Sequence, residues 1–237
     1  MCRRWVIPAM TTKQGIYTLI FTAVSLLGPG DLLGQRSDFQ SWWEFEFDRS
    51  VSSSLQLKGE LEQRFKSNSL QFSRTLLTLG VEYDATKWLS LGGGARIIFV
   101  MDGEGQLHPR YRVHFNATGF YDLSVFTFSL RTRLQYGFED VIYFGDLSLN
   151  SLISRNRLKV AQHIFGTKFG WFASLESWHY LSELPGTVFL NMRYVAGVRF
   201  DLNFKSQFNL RYIFEDEFNV TNPRQLHIVV AGYSHSF

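Results

Sequence analysis

Charged side chains recur two positions apart along this chain, and they are the residues whose type and spacing most clearly allow chemistry. Arg131 and Arg133 form one such pair, and Arg155 and Arg157 form another. Side chains two apart in an extended segment point to the same side, and basic groups around a water-filled space attract anions. The residues assigned to this charged surface are Glu44, Glu46, Lys58, Glu60, Glu62, Arg64, Arg74, Glu82, Arg96, Arg110, Arg112, Arg131, Arg133, Arg155, Arg157, Lys159, Glu176, Arg193, Arg199 and Arg211.

Ser177 and His179 are a second candidate pair, and their chemistry would be nucleophilic hydrolysis. Such a site needs a base within hydrogen-bond reach of the nucleophile and a third group that orients the base. Ser177 and His179 lie two apart with Glu183 close in sequence, whereas His114 and His163 fall on the charged surface. A serine two residues from a histidine is common by chance. We therefore expect no catalytic residues and keep hydrolysis as an alternative.

Composition excludes several other kinds of site. Cys2 is the only cysteine, so disulfide bonds and thiol chemistry are not expected. The formal net charge is +3, but the basic residues do not cluster in the linear sequence and no nucleic-acid-binding motif is present. We predict no nucleic-acid partner, no cofactor and no metal site.

The elements that would position the charged residues are short strands. From Asp38 onward, polar and apolar residues alternate with a period of two, which is typical of β-strands with two different faces. The segments are about as long as a tilted membrane-spanning strand, which needs ~9–11 residues. Eleven segments are visible, at about 39–48, 53–65, 73–83, 88–99, 110–119, 125–136, 155–165, 168–178, 189–200, 206–214 and 226–237.

The face opposite the charged one is apolar and holds no Asp, Glu, Lys or Arg. Its members include Trp43, Leu79, Leu130, Leu190 and Val198. A basic residue on the lipid face of a barrel costs up to ~2–4 kcal/mol at midplane, so a membrane would keep such a face free of charge. We predict an all-β, antiparallel transmembrane barrel of the outer-membrane type, with the apolar face outward and the charged face lining the lumen.

A soluble periplasmic β-barrel that binds a ligand is an alternative, since exchanging inside and outside leaves the alternation unchanged. Three features favour the membrane. Aromatic residues flank the short turns, and short connections alternate with long ones, as in outer-membrane barrels. The chain also ends on an apolar strand whose Tyr233 and terminal Phe237 resemble the signal read by the outer-membrane assembly machinery, from which His235 departs.

Eleven segments conflict with a general rule, because single-chain bacterial barrels have even strand numbers. Either the apolar stretch 141–144 adds a strand within 137–154, or the 39–48 segment does not join the sheet as drawn. The expected number is ten to twelve strands, with twelve preferred over ten.

The first 34 residues are predicted to be a cleaved signal peptide. Arg3 and Arg4 precede an apolar run over 16–27, which is shorter than the ~20 residues of a membrane-spanning helix. Small and flexible residues follow the run. Cleavage would leave residues 35–237 as one exported barrel domain.

Two stretches of the chain resemble a family of predicted bacterial outer-membrane barrels that is known as domain of unknown function 2490. They are FQSWWEFEFDRSVSSSLQLKGELEQRF and LLTLGVEYDATKWLSLGGGARI. The resemblance covers about 38–237 and rests on a tryptophan in the first strand, the hairpin from Leu79 to Arg96 and the final aromatic strand. It implies the fold and the location, and it implies no activity.

The sequence thus predicts a porin-like barrel in the bacterial outer membrane, without enzymatic activity. Its acids gather on the first three segments and its bases are densest on segments five to seven. The lumen would be either a narrow passive channel that favours anionic solutes or a plugged, salt-bridged wall. An outer-membrane lipid hydrolase and the soluble binder are the alternatives.

The expected partners follow from that location. They are outer-membrane lipids, lipopolysaccharide and the outer-membrane assembly machinery. Acidic residues assigned to the external loops, among them Asp102 and Glu215, are expected to keep the loops soluble. The alternative is that they reach lipopolysaccharide phosphates through bridging divalent cations, since carboxylate oxygens suit Ca²⁺ and Mg²⁺, but no ligand spacing supports a dedicated site.

Overall fold

The computed structural model describes residues 36–138, 151–181, 187–220 and 222–237, and within these ranges the chain forms eleven β-strands. No helix in the same ranges is long and apolar enough to cross a membrane. The strands are β1 (Arg36–Ser50), β2 (Leu55–Lys66), β3 (Gln71–Thr86), β4 (Leu89–Met101), β5 (Leu107–Leu123), β6 (Phe126–Phe138), β7 (Ser151–His163), β8 (Phe169–Leu181), β9 (Thr187–Asp201), β10 (Ser206–Glu217) and β11 (Arg224–Ser236).

The eleven strands form one sheet that closes into a barrel. Strands consecutive in sequence pair in antiparallel register, and the barrel closes where β1 pairs with β11. Closure leaves no sheet edge and pairs the backbone groups that an apolar surrounding cannot satisfy. The predicted fold class, an all-β barrel of the outer-membrane type, is confirmed.

The strand number is eleven rather than the preferred twelve. β6 pairs directly with β7, so no strand from 137–154 lies between them, and the predicted stretch 141–144 lies outside the described residues. β1 joins the sheet throughout, from Arg36 opposite Arg224 to Asp48 opposite Ser236. An odd number makes the first and last strands run the same way. The pairing is therefore parallel at this one seam and antiparallel elsewhere.

The two ends of the barrel differ in the length of their connections. The end that holds the C-terminus has the connections 51–54, 87–88, 124–125, 164–168 and 202–205, and we call it the turn end. The opposite end, the loop end, has 67–70, 102–106, 139–150, 182–186 and 218–223. The longest connections lie at the loop end, as the sequence predicted. β1 begins at the loop end, because it runs parallel to β11.

The uncharged face of each strand points outward. Trp43, Leu79 and Leu130 are 50%, 59% and 57% exposed on the outside of the barrel. Glu44 and Arg155, on the opposite face, are buried inside it. The barrel is therefore apolar outside and polar within, the reverse of a soluble β-barrel.

Two apolar clusters lie inside the lumen, which the charged-face prediction did not include. One joins Trp42 and Ile213 to the inward face of β11, where Ile228 and Val230 are completely buried. The other lies towards the loop end and contains Ile153, Tyr180 and Leu190. Side chains thus fill part of the interior at the level of these clusters.

Leu190 was predicted to face outward, and that prediction is wrong. The pairing of β8 with β9 shifts by one residue, because Trp178 lies opposite Asn191 while His179 lies opposite Phe189. This bulge gives Leu190 no partner of its own and turns it inward, where it is buried. A bulge inverts the alternation beyond it, and the sequence of one strand alone does not reveal it.

Candidate functional site

The charged face encloses a cavity of about 330 Å³ inside the barrel. Most of the residues that were predicted to line the lumen also line this cavity. The exceptions are Lys58, Arg74, Glu82 and Arg110. The predicted residues that line it are Glu44, Glu46, Glu60, Glu62, Arg64, Arg96, Arg112, Arg131, Arg133, Arg155, Arg157, Lys159, Glu176, Arg193, Arg199 and Arg211. They come from nine strands, so the site exists only once the barrel has closed.

Lys58 and Arg110 lie near opposite ends of the barrel. Lys58 is close to the start of β2, at the turn end, and its Nζ lies 2.9 Å from Oε1 of Glu82. Arg110 is close to the start of β5, at the loop end, and is half-buried. Neither side chain belongs to the central cavity.

Three of the four glutamates on β1 and β2 form ion pairs with arginines. Glu44 lies directly opposite Glu62, and Glu46 lies opposite Glu60. Like charges in such positions repel each other, so each needs a basic partner from elsewhere. Nε of Arg64 donates to Glu62 at 2.5 Å, Nη2 of Arg96 donates to Glu60 at 2.8 Å, and Arg211 pairs with Glu44 across the β1–β11 seam.

Glu176 on β8 is the acid nearest to the dense bases. It accepts hydrogen bonds from Nη2 of Arg131 at 2.7 Å and from Nη2 of Arg155 at 2.9 Å. Nη1 of Arg193 lies 3.8 Å away. One buried carboxylate is therefore shared by three guanidinium groups.

Glu215 is a lumen residue, and its assignment to an external loop is wrong. It lies within β10 and is buried. Nε of Arg193 and Nδ2 of Asn191 each donate to its carboxylate at 2.7 Å. The strand continues further towards the loop end than the alternation suggested, which carries Glu215 into the barrel.

Asp102 does lie outside the strands, in the connection after β4. Its carboxylate accepts hydrogen bonds from the backbone N–H groups of Gln106 and Glu104, and it lies 2.7 Å from Nε2 of His108. The hydrogen bond from Gln106, followed by that with His108, lowers the pKa of Asp102. This acid stabilises its own turn.

Four arginines on β6 and β7 form the densest positive charge of the site, and we call them the arginine array. Arg131 lies directly opposite Arg157, and Arg133 lies opposite Arg155. Arg133 donates from Nε to the neutral amide oxygen of Asn116 at 2.6 Å. Like charges face each other twice here, with Glu176 as the nearest acid.

Two tryptophans that the sequence reasoning missed divide the lumen. Cζ of Arg64 lies 3.6 Å from the ring centre of Trp42, and Cζ of Arg155 lies 4.0 Å from that of Trp178. Cζ of Arg193 lies 5.5 Å from the first ring and 5.0 Å from the second. These five residues form a cation–aromatic ladder. Their inward orientation could have been predicted from the sequence, because Trp42 lies two residues from Glu44 and Trp178 lies two residues from Glu176.

The ladder narrows the lumen. In the sheet, β10 and β11 lie between β1, which holds Trp42, and β9, which holds Arg193. The contact between Trp42 and Arg193 therefore passes over the inward faces of two strands. Guanidinium groups attract aromatic faces, so the ladder is held by attraction as well as by packing.

Ser177 and His179 face outward near the loop end of β8. Their Oγ and Nε2 atoms lie 3.1 Å apart. Asn156 of β7 lies directly opposite Ser177, and its Oδ1 accepts a hydrogen bond from Thr132 at 3.0 Å. These side chains form a small uncharged polar patch on the largely apolar outer surface. The proposed third group, Glu183, lies outside the described residues.

The other two histidines that the sequence singled out are not near that patch. His114 lies on the inward face of β5, directly opposite Gly94 of β4. A side chain at Gly94 would meet the backbone oxygen of Leu79 first and the His114 ring next. Nδ1 of His163 lies 3.7 Å from Asp201 at the turn end. Within the described ranges, no three His, Cys, Asp or Glu side chains converge as metal ligands.

Comparison with solved structures found chains of similar shape. A NanC porin is 9% identical with a TM-score of 0.49, and the match covers 75% of this chain and 86% of the porin. The β domain of the Bordetella autotransporter BrkA is 13% identical with a TM-score of 0.43, covering 79% of this chain and 86% of that domain. No protein with curated annotation matches the chain.

The family relationship inferred from the sequence is confirmed. The family described as "Protein of unknown function (DUF2490)" matches residues 39–226, which is most of the strand-forming part of the chain. The chain belongs to this family.

Proposed function

We propose that this barrel lies in the bacterial outer membrane and is a narrow passage that favours small anionic solutes. The outward face supports the location, because large apolar side chains cover it. Such a surface is unfavourable in water and favourable in the hydrocarbon of a membrane. Short turns would face the periplasm and the loop end would face outward. Outer-membrane lipids and lipopolysaccharide would then surround the barrel.

The observation that carries the functional proposal is the excess of basic groups around the cavity. Its lining includes eleven Arg or Lys side chains and five Glu side chains. Rings of basic residues select anions, and a low-dielectric wall strengthens their field. An anion in the lumen would also reduce the repulsion between arginines that lie directly opposite each other.

Planar-bilayer recordings of the purified protein in a KCl gradient test this proposal. We expect a reversal potential that indicates chloride preference, and a smaller preference in Arg112→Gln and Arg199→Gln, which line the cavity. Lys58→Gln is the matched control, because it removes one positive charge outside the cavity. A cation preference contradicts the proposal, and so does a folded protein that never conducts, which would indicate a plugged structural barrel.

Assembly of the barrel would use its C-terminal strand. Phe237 is exposed, and its backbone N–H donates to the carbonyl of Asp48 at the turn end. We propose that Tyr233 and Phe237 form the signal recognised by the assembly machinery. In support, both lie at the turn end, which would face the periplasm where that machinery acts.

Hydrolysis of outer-membrane lipid is a second candidate function, supported by the Ser177–His179 contact on the outer surface. Polar side chains inside a membrane are expensive and are often functional. A catalytic pair also needs a group to orient the base, and no carboxylate contacts His179 within the described residues. Lipid A and phospholipid profiles of cells that carry Ser177→Ala or His179→Ala distinguish the candidates, since altered profiles would require an enzyme.

A further inference from the structure

The arginine array brings together two guanidinium groups that have no ion pair within 4 Å among the described residues. We propose that Arg133 and Arg157 bind a small oxyanion between β6 and β7. The ligand class is a phosphate, sulfate or carboxylate group. The site deepens the proposed function and rests on it, because the lumen must admit anions for the site to fill.

The strand register brings the four arginines together. Arg131 and Arg157 are opposite partners, as are Arg133 and Arg155. Opposite side chains have Cβ atoms ~4.5–5.5 Å apart, and residues two apart on one strand are about 7 Å apart. All four line the same cavity, so they are the corners of one small patch.

Glu176 forms hydrogen bonds with only one diagonal of this patch. Its carboxylate accepts hydrogen bonds from Arg131 and Arg155, which are diagonal to each other. Arg133 and Arg157 form the other diagonal. Arg157 lies directly opposite Glu176 in the pairing of β7 with β8, but neither Arg133 nor Arg157 makes an ion pair within 4 Å among the described residues, and Arg133 donates to a neutral amide oxygen. The second diagonal therefore has the charge but no bonded carboxylate.

Buried donors without acceptors belong to the array itself. Nε of Arg131, Arg155 and Arg157 are buried and have no hydrogen-bond partner among the described residues. Buried N–H groups left unpaired are costly. All three are donors, so the missing partner is an acceptor and not a cation.

The ligand class follows from the geometry of arginine. A guanidinium group presents N–H donors in a planar fork that matches two oxygen atoms of a carboxylate or phosphate, which a spherical chloride ion does not offer. A cavity of about 330 Å³ is large enough for such a group and for a small molecule that carries it.

Calorimetric titration of the folded, detergent-solubilised protein tests the site with inorganic phosphate, sulfate, acetate and chloride as separate probes. We expect saturable binding of at least one oxyanion that is at least tenfold tighter than chloride. Arg133→Gln and Arg157→Gln should each weaken that binding by about tenfold or more, the effect of losing one charge-assisted hydrogen bond. Lys58→Gln removes the same charge elsewhere and should change it less than twofold.

Glu176→Gln gives an effect of opposite sign. It removes the one carboxylate that bonds to the array within the described residues, so oxyanion binding should tighten severalfold, whereas general damage to the barrel would weaken it. Heat-modifiable electrophoretic mobility reports folding of each variant.

The proposed site is contradicted if no oxyanion binds the folded wild type, or if Arg157→Gln and Lys58→Gln bind oxyanions with the same affinity. Binding without bilayer conductance would instead reject the passage and retain the site.

Discussion

At the scale of single residues, the cation–aromatic ladder places two tryptophan rings and three guanidinium groups inside the lumen. Arg193 contacts both Trp42 and Trp178, while Arg64 lies over the first ring and Arg155 over the second. Trp42 is almost completely buried among Ile213, Ile228 and Val230. Removing one ring would therefore leave a space in the interior and release two guanidinium groups.

Trp42→Ala should increase single-channel conductance in planar bilayers, because the ladder crosses the lumen through this ring. Its neighbour offers a matched control, since Trp43 is half exposed on the outer face of the same strand. Trp43→Ala should leave conductance unchanged. Equal conductance of the two variants would show that the ladder does not limit the passage.

The residues of the site were predictable to different degrees. The faces of Arg131, Arg133, Arg155 and Arg157 follow from alternation within one strand. The lack of an ion pair at Arg157 among the described residues could not be predicted in this way. It depends on which guanidinium groups Glu176 bonds from β8. Pairing across strands is set by register, and a single sequence does not reveal register.

At the scale of strands, the two faces of β10 differ in what they contact. Leu210 is exposed on the outer face, and Gln207 lines the cavity with its Nε2 2.5 Å from Asp201. Leu210→Arg should lower the free energy of unfolding by ~2–4 kcal/mol in lipid vesicles, because it places a charge in hydrocarbon. Gln207→Arg should cost much less, since Asp201 is available as a partner.

Chemical unfolding of both variants in vesicles measures this difference. A similar loss in each would contradict the assignment of the outer face to lipid. Heat-modifiable mobility provides the folding control, as both proteins must assemble before their unfolding can be compared.

The alternation located all eleven strands but not their irregularities. Predicted and observed strands agree in order, and the observed strands mostly extend further at their ends. The inward turn of Leu190 was missed because its bulge arises from the pairing of β8 with β9. The apolar inward face of β11 was missed for a different reason: Leu226, Ile228 and Val230 make that strand apolar on both sides.

At the scale of the whole molecule, the odd number of strands fixes where the chain enters the barrel. With an even number, both ends of the sheet would lie at the turn end. Here β1 runs parallel to β11, so the chain enters β1 at the loop end and leaves β11 at the turn end. The parity rule failed because it assumes an antiparallel closing pair, which β1 and β11 do not form.

This topology makes a prediction about the cell surface that depends on the proposed outer-membrane orientation. An epitope placed immediately before Arg36 should be labelled by antibody in intact cells, because β1 begins at the same end as the 102–106 connection. An epitope within 102–106 is the positive control, and one after Phe237 should be labelled only after permeabilisation. Labelling at 102–106 without labelling before Arg36 would mean that β1 runs the other way, and the closing pair of the barrel would then be antiparallel.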